Sequence, residues 1–258
     1  MIAQTVNWLL ATTALTQAEL LILMGLTLLA GIVRGFSGFA LSAMVMATAI
    51  LILPPVELIP MLWWLEMSAS LMMLKSGWAG ADKNMTFALA GGSFIGWPIG
   101  LALTVSLPVE ASKTASLAVI VSLAILLLSK VRLPFLATRS GLYGSGVLAG
   151  IVSGLAAVGG MVVAIYVLAA NAPAHAMRVS LVLYLFLTSV ISMVTLLAFG
   201  VMDTSGIARG LVLALPTMFG VFLGQQLFTE RLAPYYRPFC LILLIGLASL
   251  ALIRSQLS

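Results

Sequence analysis

A-G-I-V-R-G-F-S-G-F-A-L, residues Ala30 to Leu41, sets an arginine, three glycines and a serine inside an otherwise apolar run from Leu20 to Leu53. At membrane depth an arginine costs at least a few kcal/mol, and each glycine weakens a helix by about 1 kcal/mol relative to alanine. Interrupted backbone at that depth is tolerated only where protein buries it or water lines it. The stretch therefore reads as a helix that stops inside a membrane, with Arg34 to Gly38 at the stop. It has a second copy. Ala149 to Gly160 reads A-G-I-V-S-G-L-A-A-V-G-G, and a shift of 119 positions lays Ala30-Gly31-Ile32-Val33 on Ala149-Gly150-Ile151-Val152 and Gly35 on Gly154.

Composition agrees with a membrane setting. Hydrophobic residues are 62% of the 258 and charged residues 7%, with a mean hydropathy of +1.22, which excludes a soluble globular domain. The net charge of +5 does not mark a nucleic-acid binder, because the basic residues are thinly spread between apolar spans and serve to set orientation. One cysteine, Cys240, and one histidine, His175, supply no disulfide framework, no metal cluster and no cofactor ligation. Met1 to Glu19 has no basic residue ahead of its apolar part, so a cleaved signal is not expected and the first span is placed near Ala18.

Leu20 to Val33 and Phe39 to Leu53 are each about 15 residues, or about 22 Å as helix, short of the ~30 Å hydrocarbon core. Either a re-entrant hairpin or two thin crossings would fit. Pro54-Pro55 ends the second arm. Val56 to Leu74 is a full span with Trp63, Trp64 and Glu66, followed by a polar loop from Lys75 to Asn84. Met85 to Val105 carries Gly91, Gly92, Gly96, Pro98 and Gly100, a composition for close helix packing; one more span runs to Ser129. After a basic linker at 130–139 the plan repeats: short arms Gly141 to Leu155 and Gly159 to Ala170, then spans Ala176 to Phe199, Gly206 to Phe228 and Pro238 to Ile253, with Gly96 over Gly220 and Gly100 over Gly224.

Loop charge sets the orientation. Lys75, Lys83, Lys130, Arg132, Arg139, Arg178, Arg231 and Arg237 fall on one side, against Lys113, Arg209 and Arg254 on the other. Eight against three puts the linker in the cytoplasm and both termini outside. The first half, 1–129, and the second, 140–258, are then inverted repeats of about five helical elements each. Inverted repeats with broken helices characterise secondary transporters, which hold cargo near the midplane where the repeats meet.

V-R-G-F-S-G-F-A-L at Val33 to Leu41 and S-G-L-A-A-V-G-G at Ser153 to Gly160 resemble the paired motifs of the TauE/SafE family of membrane permeases, and the resemblance covers nearly the whole chain. It implies transport of small sulfur-containing anions, such as sulfite or sulfoacetate and other sulfonates, by export across a bacterial inner membrane. Phe39-Ala40 and Ala156-Ala157 depart from the glycines of many relatives, and bear on the substrate more than on the fold.

The residues suit such an anion. A half-helix beginning at Gly38 or Gly159 aims free N–H groups and a positive dipole end at the break. Ser37 adds a hydroxyl, and Arg34 a forked pair of donors for two oxygens. At a span end Arg34 would be read as a snorkelling cap; inside the motif it is read as an anion ligand, with Gly35, Ser37, Gly38, Gly159, Gly160 and Gln225 completing the substrate site and Trp97 at the cavity wall. Glu66 either pairs statically with Arg34 or forms a pair that a proton or substrate opens, coupling transport to a proton gradient. Asn171, His175 and Arg178 cluster by Pro173, where a solvated histidine is the default. The expected partners are the anion and the lipid bilayer, and the apolar surface accommodates a homo-oligomer as readily as lipid. An intramembrane enzyme would need a nucleophile or paired acids that the chain lacks. A subunit of an ATP-driven importer would need a coupling surface that the short loops do not offer, and uptake of another small anion is the remaining alternative.

Overall fold

The computed structural model describes residues 2–129, 138–169, 174–227 and 233–257, and among them the chain is entirely helical. The helices are α1 (Ile2–Thr13), α2 (Gln17–Ser37), α3 (Leu41–Ala49), α4 (Pro55–Gly80), α5 (Lys83–Ser106), α6 (Val109–Leu128), α7 (Arg139–Ala156), α8 (Gly159–Ala169), α9 (Ala174–Ala198), α10 (Thr204–Leu227) and α11 (Ala233–Leu257). Six of them, α2, α5, α6, α9, α10 and α11, contain stretches long and apolar enough to cross a membrane. This is an all-α, multi-pass membrane protein.

The expected near-equal short arms are unequal. α2 is 21 residues, about 31 Å of helix, whereas α3 is 9; their counterparts α7 and α8 are 18 and 11. Gly31 and Gly35 do not interrupt α2, because each is a contact point. A Cβ on Gly31 would press on Gly220 at 3.2 Å, and one on Gly35 on Gly224 at 2.8 Å. Only past Ser37 does the backbone turn, through left-handed Gly38 (φ 81°) and left-handed Ala40 (φ 76°). α1 is a helix where none was expected, and α2 opens on a Thr16–Glu19 capping box. α4 runs on to Gly80 through the expected loop at Lys75.

Close pairs fix the helix directions. Gly92, Gly96 and Gly100 meet Tyr143–Val147, Val147–Ile151 and Ile151–Gly154 in rising order, so α5 and α7 run the same way. Gly31 and Gly35 meet Gly220 and Gly224 in the same manner, so α2 and α10 also run together. α4 joins the second pair, since Gly206 lies against Pro60 and Gly210 against Trp64. With α2 and α4 parallel, residues 38–54 must carry the chain back to the end it came from. Buried Arg209 marks that end: its Nε donates to the Thr13 carbonyl (2.6 Å) and its Nη1 to Glu57 (2.6 Å), so α2, α4 and α10 all begin there. Arg209 and Arg178 are thus helix residues rather than loop charges. Lys130, Arg132, Arg231, Asn171 and Pro173 lie outside the described residues, and the side chains of His175 and Arg237 do as well.

Candidate functional site

The turn between α2 and α3 is built around Arg34. Its backbone carbonyl accepts the Gly38 N–H (2.9 Å), closing α2 with a left-handed cap. Its side chain, with no exposed surface, doubles back over the same turn. Nη1 donates to the Gly38 carbonyl, Nη2 donates to Ser70 Oγ on α4 (3.0 Å), and Nε faces Glu66 Oε2 at 3.2 Å, off the line of a hydrogen bond. All three guanidinium nitrogens are engaged inside the protein.

Glu66 links that turn to the start of α3. Ala40, which precedes the helix, offers no side-chain cap, and Glu66 does from α4 what a capping residue does locally. Its Oε1 accepts the Ser42 hydroxyl (2.7 Å) and the Ser42 N–H (3.3 Å). The negative carboxylate therefore sits on the positive end of a helix and beside a guanidinium, two of the few arrangements that stabilise a charge at this depth.

The second break lies across from the first. α7 ends at Ala156, and left-handed Ala157 (φ 57°) returns its N–H to the Ser153 carbonyl (2.8 Å), as Gly38 does to Arg34. α8 opens on Gly159 and Gly160. Both breaks border two small cavities. The larger, about 40 Å³, is lined by Ser42, Glu66, Trp97, Ser153, Ala157 and a hydroxyl row on α9, Thr188, Ser189 and Ser192, with Trp63 beside it. The smaller, about 10 Å³, reaches from Ala40 and Glu66 to Val158 and Gly160. Trp63 is oriented by donating Nε1–H to the Ser189 carbonyl (2.7 Å). Ser153 is joined to buried Tyr184, whose hydroxyl also meets Ser93 Oγ at 2.8 Å.

The model of the family described as Sulfite exporter TauE/SafE matches residues 23–251. The chain belongs to this family. No curated protein and no solved structure matches it. The TauE/SafE assignment covers both breaks and every residue of the cavity lining, and it is an assignment to membrane transporters.

Within this TauE/SafE chain the sequence-predicted site residues separate into two groups. Glu66, Trp97 and Gly160 line the cavities, and Gly159 abuts the Ser153 hydroxyl. Arg34 and Gly38 stand behind Glu66 as its support. Gly35 is packed on α10 and takes a hydrogen bond on its carbonyl from Arg178 Nη2 (2.5 Å). Ser37 spends its hydroxyl on the turn itself, donating to the Phe39 carbonyl (2.6 Å) and accepting its N–H (3.2 Å). Gln225 lies over Gly35 near the end of α10, with its backbone nitrogen 2.9 Å from where a Gly35 Cβ would stand, and is not part of either cavity lining. Ser42, Ser153, Thr188, Ser189 and Ser192 were not singled out from sequence. The α9 hydroxyls had a signal, since positions 188, 189 and 192 share one helical face; Ser42 and Ser153 had none beyond lying near the breaks.

Proposed function

We propose that this protein is a secondary transporter that moves a small sulfur oxyanion, sulfite in the first place, out of a bacterial cytoplasm across the inner membrane. The observation that carries the reading is that the start of α3, through Ser42, and the second break, through Ser153 and Ala157, border one hydroxyl-lined cavity, with Gly160 of α8 on the smaller cavity next to it, inside a family of sulfite exporters. Helix N-termini and hydroxyls together replace the hydration shell of an oxyanion. A cavity of about 40 Å³ has room for about three waters at roughly 10–15 Å³ each, which suits sulfite better than a sulfonate with a carboxymethyl or aminoethyl arm.

Two further elements belong to the proposal. Halves 1–129 and 140–258 act as inverted repeats, supported by the matching glycine contacts of α2 with α10 and of α5 with α7, with the linker cytoplasmic and both termini periplasmic. Glu66 couples export to protons: neutralising it would release Arg34 and the α3 end together. Arg34 acts through Glu66 and the Gly38 turn, its donors being in use, while Gly159, Gly160, Ser42 and Ser153 face the cargo and Trp97 walls it.

Purified protein titrated with sulfite, sulfate, thiosulfate, sulfoacetate, taurine and acetate tests the reading. Sulfite is expected to bind most tightly and, in proteoliposomes, to move faster under an imposed pH gradient. Binding of acetate or of cations alone would defeat it.

A further inference from the structure

A hydroxyl has one proton to give and two lone pairs that accept, so a chain of hydroxyls that ends on a carbonyl runs in one direction only. Such a chain leads away from the cavity. Ser93 Oγ on α5 donates to the Gly146 carbonyl of α7 (2.9 Å), which commits the serine's proton. The 2.8 Å contact between Ser93 Oγ and the Tyr184 hydroxyl is therefore made with the tyrosine's proton. Tyr184 has no second proton, so its bond with Ser153 takes the proton of Ser153. The order is Ser153 to Tyr184 to Ser93 to Gly146. Ser93 and Tyr184 have no exposed surface, and no water competes for the links they make.

The other hydroxyls of the cavity lining are held differently. Thr188, Ser189 and Ser192 donate to the Tyr184, Leu185 and Ser189 carbonyls of their own helix. Bonds of that kind to the preceding turn are exchanged by rotation about χ1, so these groups can turn and donate to an anion. Ser42 donates to the Glu66 carboxylate and follows its charge. The Ser153 proton instead leaves its own helix and is held by a chain anchored at the far end. Ser153 lines the cavity with lone pairs alone to offer. A fixed acceptor in the wall of an oxyanion site is satisfied by an anion that brings its own proton, and repels one that brings only lone pairs. Hydrogensulfite is of the first kind and sulfate of the second.

We infer that Tyr184 and Ser93 determine specificity: by taking up the Ser153 proton they make that serine an acceptor, which admits hydrogensulfite and turns sulfate away. Neither residue lines the cavity, so both are positioning residues that act through Ser153. This rests on the cargo being a small sulfur oxyanion, and it adds how the protein tells two such anions apart. Glu66 on α4 is the ionisable residue of the cavity lining, with Arg34 of α2 paired to it; comparison of two anions at one pH holds the charge of both constant.

Equilibrium dialysis of the purified full chain under argon, with radiolabelled sulfite and with radiolabelled sulfate, measures both affinities at pH 6, where sulfite is mostly hydrogensulfite. Wild type is expected to prefer sulfite by on the order of tenfold or more, the scale of one buried acceptor left unsatisfied. Equal affinities overturn the inference and leave the transport reading standing. Tyr184→Phe cuts the chain in the middle. Ser93→Ala frees the tyrosine to donate to Ser153 instead. By different routes both give Ser153 back a proton for the cavity, and each is expected to lower the preference by about tenfold; either variant decides the point if the other does not fold. Damage to packing alone would weaken both anions and leave their ratio where it was, and an unchanged ratio overturns the inference. Ser192→Ala, which removes an exchangeable donor from the same lining, is expected to weaken both anions alike. A preference that falls as far in this variant also overturns it, because then any lost hydroxyl would serve. If wild type binds neither anion, the transport reading fails and takes this inference with it.

Discussion

Arg34 and Glu66 form an ion pair at 3.2 Å in which each partner also secures one side of the same chain turn: the arginine holds the Gly38 carbonyl, and the glutamate holds the N–H and the hydroxyl of Ser42 in the first turn of α3. The pair is both an electrostatic match and the latch of the helix break.

Removing one member should be worse than removing both. Arg34→Ala leaves a carboxylate buried without its cation, at about 3–5 kcal/mol of destabilisation. Arg34→Met combined with Glu66→Leu removes both charges, and most of that loss should be recovered, although the cap on α3 is gone. Thermal unfolding of the detergent-solubilised proteins makes the comparison; a double variant no more stable than Arg34→Ala would show that the charge pair is not what the single change disturbs.

Glu66→Gln keeps the volume and the acceptor toward Ser42 while removing the charge. Sulfite binding should persist, and the acceleration of sulfite flux by an imposed pH gradient should disappear. Flux in proteoliposomes at several gradients reads this directly, and an unaltered gradient response would take Glu66 out of the coupling.

The glycines of α5 differ in consequence. A Cβ at Gly96 would meet the Val147 carbonyl and lie 2.7 Å from the Ile151 nitrogen, whereas one at Gly91 meets nothing within 4 Å. Gly96→Ala should force α5 from α7 and destabilise by about 1–3 kcal/mol. Gly91→Ala should stabilise by up to about 1 kcal/mol. The two melting temperatures should move in opposite directions.

Asp203 caps α10 from the connecting turn. Its Oδ1 accepts the Gly206 N–H (2.9 Å) and its Oδ2 the Ser205 hydroxyl (2.5 Å). Burial on its own pushes its carboxyl up, but Ser205, Gly206 and the nearby Arg209 charge outweigh this and hold it below its ordinary 3.8. A carboxyl lowered by folding contributes stability that is fully present above its ordinary value and lost as pH falls through the folded one. Asp203→Ala should therefore cost about 1 kcal/mol at neutral pH, with the gap to wild type closing only in strong acid, below about pH 4. A gap that closes between pH 5 and 8 would point to another group.

Arg34 and Glu66 were legible because a charge in an apolar run has few explanations, and the repeated glycines announced where helices touch. Which helix each touches was not legible, since small residues carry no address. The break was misplaced because Gly31 and Gly35 look like interruptions, while the residue that completes the turn, Ala40, shows nothing in its chemistry of a left-handed backbone. The cavity serines were hidden for a related reason: a serine in a membrane helix normally bonds its own preceding turn, as Thr27 does to the Leu23 carbonyl. Only placement across from a helix end makes Ser42 or Ser153 unusual.

The glycine seams join partners far apart in the order of synthesis. Arg34 meets Ser70 after a further 36 residues, so at about 5–20 residues per second the buried charge finds company within roughly 2–7 s. Gly31 must wait for Gly220, about 190 residues later, or some 10–40 s. During that interval α2 is in the bilayer with its charge already neutralised and its smooth face still bare. The translocation machinery that inserts this chain must keep that face available for a helix that has yet to be made.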